Sequence, residues 1–302
     1  MNMRTKIFIL SIVSSLAFFS CEKYIPVELP GPEKMLVVNA LMATGDTTHT
    51  VYAGISTHEK TLPLESGSLE CWINGTLAAT VDKPEKSDRT IYHNMFRFRA
   101  DFKAGDEVRI VVESDEMRAE ATTVVLEAPV LAGVDTTHLN RKSSSGGYFK
   151  TLGMGVHVKD KPDEKNYYML QVWYFGENYR KQLEIDNSSE PLLNSGINTS
   201  VGNNDMASDS YFSNKYNIFT DKGFEGGSHI FKISLTDKSL SDVTVRLLAL
   251  DRETYNYINT AWFDDSDLAD WLFFVDKPYP TNVTGDGIGL VSVMTSSDYK
   301  ID

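Results

Sequence analysis

Between Met35 and Leu126 the apolar residues return at every second position, and this period constrains the chain more than any motif in it. Val51, Ala53 and Ile55 alternate with Thr50, Tyr52 and Gly54; Val108, Ile110 and Val112 alternate with Arg109 and Glu113; Tyr92, Phe96 and Phe98 share one face, with His93 and Arg97 on the other. Successive side chains of a strand point to opposite faces, so such a period builds half-buried strands. Strands are predicted near 35–43, 48–56, 68–73, 77–81, 90–99, 107–114 and 117–126, with Asn74-Gly75 as the clearest hairpin turn. That many short strands in one block predict a β-sandwich of immunoglobulin-like or transthyretin-like form. Ala128-Pro129 ends the block, because proline cannot continue a ladder.

The expected domains are therefore an N-terminal sandwich over 34–128 and a second β-rich domain over 129–302. In the latter, strands are predicted near 131–139, 151–159, 166–176, 181–186, 216–220, 229–236, 243–250 and 288–295. Tyr167 to Phe175 is apolar on both faces and reads as a central strand covered on both sides. Asp251 stands as an N-cap before Tyr255, Ile258 and Trp262, spaced as a short amphipathic helix, with a further helical turn or two expected over 266–274. The fold expected is mostly β: two tandem sandwiches, the second with one or two short helices.

The N-terminus carries an address. Arg4 and Lys6 precede the 13-residue apolar run Ile7–Phe19, too short for a bilayer span of ~20 residues and shaped like an export signal. Ser20-Cys21 follows and resembles a bacterial lipoprotein cleavage box, which makes residues 1–20 the signal peptide and Cys21 the lipidated residue. Residues 21–33, with Pro26, Pro30 and Pro32, read as an extended tether. The whole chain carries 29 basic and 42 acidic side chains, a net charge of −13 that disfavours nucleic acid and acidic lipid surfaces. Membrane attachment is therefore expected through acyl chains such as palmitate on Cys21. With Cys21 lipidated only Cys71 remains, and it shares a face with Leu69 and Ile73, the position of a buried, inert thiol.

Candidate chemistry is sparse. The six histidines stand singly, without the spacing of a zinc site, and no Gly-x-Ser-x-Gly elbow occurs. Asp264, Asp265 and Asp267 are weak candidates for calcium ligands; acidic residues opening a helix explain them more simply, through the macrodipole. Gly285-Asp286-Gly287-Ile288-Gly289 precedes a strand, where a dinucleotide fingerprint needs a helix, so it reads as a tight turn. Neither a metal nor a cofactor is expected. The 29 residues from Asp186 to Asn214 include 18 Ser, Asn, Asp or Gly, and loops of that length in compact domains are usually functional. The candidate contacts for a ligand or partner are Asn203, Asn204 and Asp205 in that loop, with Tyr179 and Arg180 beyond the end of the central strand.

Phe219-Thr220-Asp221-Lys222-Gly223-Phe224-Glu225-Gly226, Leu247-Leu248-Ala249-Leu250, Tyr255-Asn256-Tyr257 and Thr281 to Gly289 occur in one order. With Cys21, Pro26 and Leu36–Leu41, this order resembles the Bacteroidota outer-membrane lipoproteins grouped as domain of unknown function 4249. A departure is Leu290, where the pattern leads one to expect an aromatic. The resemblance implies a β-rich envelope lipoprotein, often encoded beside TonB-dependent receptors, with no catalytic residues to carry over. It makes a non-catalytic accessory of TonB-dependent uptake the expected function and an outer-membrane receptor the expected partner. A structural or adhesive surface component is the alternative, and a hydrolase using an acidic pair ranks below both. Outer-membrane residence is expected, with the leaflet left open.

Overall fold

The computed structural model describes residues 34–57, 60–87, 93–115, 117–142, 146–176, 179–194, 216–236, 242–264 and 280–301. The chain divides into Met1–Glu33 and one compact unit, Lys34–Asp302. The first half of the compact unit contains β1 (Met35–Ala43), β2 (Thr48–Ser56), β3 (Thr61–Pro63), β4 (Ser68–Ile73), β5 (Thr76–Val81), β6 (Glu85–Lys86), β7 (Asn94–Arg99), β8 (Glu107–Ser114) and β9 (Met117–Val124). After Pro129 come β10 (Val130–Lys142), β11 (Tyr148–Lys159), β12 (Tyr167–Phe175), β13 (Arg180–Leu183), β14 (Ile185–Asp186) and the short α1 (Pro191–Asn194). The chain continues through β15 (Ile218–Thr220), β16 (Ser228–Leu235), β17 (Val243–Leu250), α2 (Arg252–Asp264), β18 (Val283–Gly285) and β19 (Gly287–Ile301).

These strands form three sheets. A ten-stranded sheet runs β13-β12-β17-β19-β1-β2-β7-β6, with β15 also on β12 and β3 on β2; a five-stranded sheet runs β18-β9-β8-β4-β5; a four-stranded sheet runs β10-β11-β16-β14. Alternation explains how they pack. Leu36, Val38, Val51, Ala53, Val291 and Val293 of the large sheet bury against Leu69, Cys71, Val108, Ile110 and Ala121 of the five-stranded sheet. Tyr168, Leu170, Val172, Val245 and Leu247 bury against Leu152, Val156, Phe231 and Ile233 of the four-stranded sheet. Met169, Leu248, Leu250 and Met294 point the other way, where Ile258 and Tyr255 of α2 cover them. Each fully buried Leu or Val adds ~1.5–3 kcal/mol relative to exposure.

The border expected at Ala128-Pro129 does not separate two pairing systems. The β19 strand lies parallel to β1, from Leu36↔Gly287 to Ala43↔Met294, and then antiparallel to β17, from Ala249↔Thr295 to Val243↔Ile301. The chain after Pro129 thus returns to complete the N-terminal part, and β18 adds a further strand to β9. Burial of β19 drives this: Leu290, Val291, Ser292 and Val293 are all inaccessible, so both faces of the strand need cover. Leu290 fills its place fully buried, without an aromatic ring.

The Thr281–Gly289 motif is the join. Asp286 N–H donates to Arg118 O at 2.8 Å and its Oδ2 accepts from Arg118 N–H at 3.0 Å, while Asp286 O accepts from Leu36 N–H at 2.8 Å. Asn282 brackets Val291, its Nδ2 donating to Val291 O at 2.7 Å and its Oδ1 accepting from Val291 N–H at 2.9 Å. Gly289 has φ of +133°, and a Cβ there would collide with the Val38 carbonyl, so only glycine lets β19 approach β1 this closely. A strand precedes and follows the glycines, as the tight-turn reading required.

Candidate binding face

The β12 strand divides its side chains between two faces of the large sheet. Tyr168, Leu170 and Val172 enter the core, while Trp173 and Phe175 project from the opposite face, their ring centroids 6.5 Å apart. Hairpin pairing of Phe175 with Arg180 and of Trp173 with Gln182 sets the β13 side chains beside them. The Arg180 guanidinium carbon lies 5.9 Å from the Trp173 ring centroid, a cation–π contact at the sheet margin. Trp173 Nε1–H donates to Gln171 Oε1 at 2.9 Å, which fixes the indole plane. Next along the same face, Arg246 holds Asp298 with two bonds of 2.8 and 2.7 Å, and this hydrogen-bonded carboxylate raises the guanidinium pKa further. Phe175 remains 41% exposed, so the face offers aromatic surface edged by fixed charge.

Tyr179 and Arg180, expected to act together, are separated. The Tyr179 ring packs 5.6 Å from Tyr174, whose side chain leans on the core side, whereas Arg180 covers Trp173 on the other side. Adjacent residues of an extended segment point to opposite faces, so the two side chains stand on different sides of the hairpin. Tyr179 stays 62% exposed as an aromatic on the core-side face of the hairpin. Asn203, Asn204, Asp205, Asp265, Asp267 and Cys21 lie outside the described residues. Asp264 is the last residue of α2, and the helical turn expected over 266–274, which it would open, lies outside the described residues; the favourable dipole end of α2 belongs to Asp251. Thr254 N–H donates to Asp251 Oδ1 at 2.6 Å, and Oδ2 of the same cap accepts from Ser292 at 3.2 Å.

The long loop has an anchored base. Asn187 and Asn217, both buried, meet through Asn187 Nδ2 and Asn217 Oδ1 at 2.6 Å. Asn217 O accepts from Leu170 N–H at 3.0 Å, placing this base at the β12 edge where β13 and β15 both pair. Buried Glu190 accepts from Lys232 N–H at 2.9 Å and from Leu192 N–H at 3.3 Å, and lies 3.0 Å from His229 Nε2. His229 itself sits 4.6 Å, centroid to centroid, from Phe231. The single spacing of His229 gave no sign of this pairing, because its partner is 39 residues away.

A pair of acids also escapes sequence reading. Asp160 accepts from Tyr168 Oη–H at 2.6 Å and from Gly226 N–H at 2.8 Å, while Asp221 accepts from Asn166 N–H at 2.7 Å. Burial chiefly pushes the Asp221 carboxyl up, with Asp160 adding to the rise and the Asn166 amide opposing it. Their bonded partners are backbone amides and a core tyrosine, so the arrangement ties the 160–166 and 221–227 turns together. Among the described residues no group of three or more His, Cys, Asp or Glu could hold a metal ion, and no helix is long and apolar enough to cross a membrane.

The Thr281–Gly289 and Phe219–Gly226 motifs thus have structural roles, the first joining β18 and β19 to β9 and β1 and the second holding the turn at Asp160. A family profile described as domain of unknown function (DUF4249) matches residues 22–300. The chain belongs to the DUF4249 family. For DUF4249 the match extends from residue 22 to the last residues of β19, so the family unit includes both core clusters. No curated protein matches the chain. Among solved structures, a Parabacteroides merdae β-glucuronidase with glycerol in its active site is similar at 10% identity and a TM-score of 0.23. That similarity covers 72% of this chain and 23% of the enzyme, and it carries no argument about fold or activity.

Proposed function

We propose that this DUF4249 chain is a non-catalytic outer-membrane lipoprotein, anchored through acylated Cys21, that acts as an accessory binding component of a TonB-dependent uptake system. Its architecture is read as two sandwiches sharing the ten-stranded sheet, the first of immunoglobulin-like or transthyretin-like kind. The observation that carries the reading is the Trp173–Phe175–Arg180 face lying on the same β12–β13 hairpin whose edge anchors the Asn187–Asn217 loop base. Aromatic side chains and arginine concentrate binding energy at protein interfaces, and a rigid hairpin beside a long loop is a usual place for recognition. The net charge of −13 favours a partner of complementary positive surface.

The test is affinity purification of the tagged, lipidated chain from gently solubilised outer membranes. A TonB-dependent receptor recovered in stoichiometric amount supports the reading. Its loss with Trp173→Ala/Arg180→Glu, in protein whose unfolding is unchanged, assigns the contact to this face. Recovery of the chain alone overturns the accessory role. Undiminished recovery with the double variant moves the contact elsewhere.

A further inference from the structure

The β10 strand ends the four-stranded sheet, and among the described residues no strand pairs with its outer edge. From Asp135 to Asn140 every residue is exposed, on both faces of the strand. The ladder to β11 nevertheless runs without interruption from Gly133↔His157 to Lys142↔Tyr148, so the strand is held straight and in register. Its one irregularity lies between Leu131 and Gly133, before this stretch, and the stretch contains no proline. A long regular edge of this kind is a template for another strand unless proline, a bulge or a central charge blocks it.

The sequence of the edge is self-complementary. When two identical strands pair antiparallel about a two-fold axis normal to the sheet, one residue must face its own copy. Centring on His138 sets Asp135 opposite the partner's Arg141, and Arg141 opposite the partner's Asp135. Centring on Thr137 places Asp135 opposite Leu139, and centring on Leu139 places Arg141 opposite Thr137, so neighbouring registers lose both charge pairs. Directly opposed residues share a face, and opposite charges so placed are favourable where like charges are not. In the His138 register Leu139, 40% exposed, also packs against the partner's Thr137. Asp135 is steadied by His157 Nε2 at 2.7 Å yet remains 80% exposed, and Arg141 is held on the same face by Asp186 and Ser234.

We infer that β10 is a self-docking edge: two copies of this chain pair antiparallel over 134–142 about His138, joining their four-stranded sheets into one. The pairing is isologous and closes at two copies. It uses a surface separate from the Trp173 face, so either reading stands or falls without the other.

The register makes a sharp test with the full chain carrying Cys21→Ser, in which the remaining native thiol, Cys71, is buried. Opposed Cα atoms of an antiparallel pair lie about 4.5–5.5 Å apart, within disulfide reach. His138→Cys is expected to oxidise to a covalent dimer. Thr136→Cys and Asn140→Cys are each expected to remain uncrosslinked alone but to link when mixed. In sedimentation at 0.15 M salt the parent chain should dimerise with concentration. Asp135→Arg should weaken that dimer at least tenfold, and Asp135→Arg/Arg141→Asp should recover it, a rescue that loss of folding cannot produce. A chain that stays monomeric at every concentration, or crosslinks equally at 136, 138 and 140 alone, overturns the proposal.

Discussion

Asn187 donates its side-chain amide to Asn217 at 2.6 Å, and the two residues stand 30 positions apart on either side of the longest polar segment in the chain. Both are buried, so the bond fixes where that segment departs and returns. Replacing Asn187 with Ala removes the donor and leaves Asn217 Oδ1 buried. The expected cost is ~1–3 kcal/mol, read by urea unfolding. A variant as stable as the parent would show that the loop base is set by the neighbouring strands alone.

Asp251 should matter beyond its helix. It caps α2 through Thr254 N–H at 2.6 Å and accepts from Ser292 at 3.2 Å on β19 and Thr123 at 3.4 Å on β9. Asp251→Ala is expected to cost at least the ~1 kcal/mol typical of a lost cap, with Asp251→Asn costing less because it retains the cap. Thermal unfolding of the two variants distinguishes a cap from a cross-link, since only the cross-link adds a loss beyond the helix.

Glycines 75 and 289 both have positive φ, but only the second is sterically enclosed. A Cβ at Gly75 meets nothing within 4 Å, so Gly75→Ala should cost only the left-handed backbone penalty of ~1–2 kcal/mol. At Gly289 the added carbon runs into the Val38 carbonyl and the parallel pairing of β1 with β19 has to open. Gly289→Ala is expected to abolish soluble folded protein, and recovery of folded variant at parental yield would contradict the pairing.

Burial pushes the Cys71 thiol up from 9.0 to about 12. In the unfolded chain the thiol ionises near its ordinary value while in the folded chain it stays protonated. The unfolded state therefore binds fewer protons between pH 9.0 and about 12, and stability should fall across that window. Cys71→Ala should flatten that part of the profile in denaturant midpoints measured against pH. In native protein at pH 8 the thiol should resist alkylation, and unfolding should release it.

Part of the candidate site was within reach of the sequence, and part of it was not. Strand β12 and the turn after it were evident from the apolar run ending at Phe175. Alternation already places Tyr179 and Arg180 on opposite sides, and the structure shows their ring and guanidinium on different partners, Tyr174 and Trp173. The candidate face instead depends on Trp173 and Phe175, which looked like core because a two-sided apolar strand does not say how completely each face is covered. Glu190 and His229, or Asp160 and Tyr168, gave no local sign, because each bond joins a strand residue to a connecting segment that reaches it only after the sheets have packed.

By itself the sequence missed the short β3, β6 and β18 and read β13 and β14 as one strand, whereas it determined most of the longer strands, the inward face of alternating strands such as β2 and β8, the Asn74-Gly75 hairpin with positive φ at both residues, the buried Cys71 and the Asp251 cap. These follow from local backbone preference and a two-residue period, which act within a few positions. Tertiary structure alone decided that β19 lies between β1 and β17, so that the chain ends by uniting two cores that a proline had seemed to divide. The reason is physical: an apolar strand gains the same burial from any suitable neighbour, and only packing of the whole chain, with glycine at 289 admitting close approach, selects which neighbour it is.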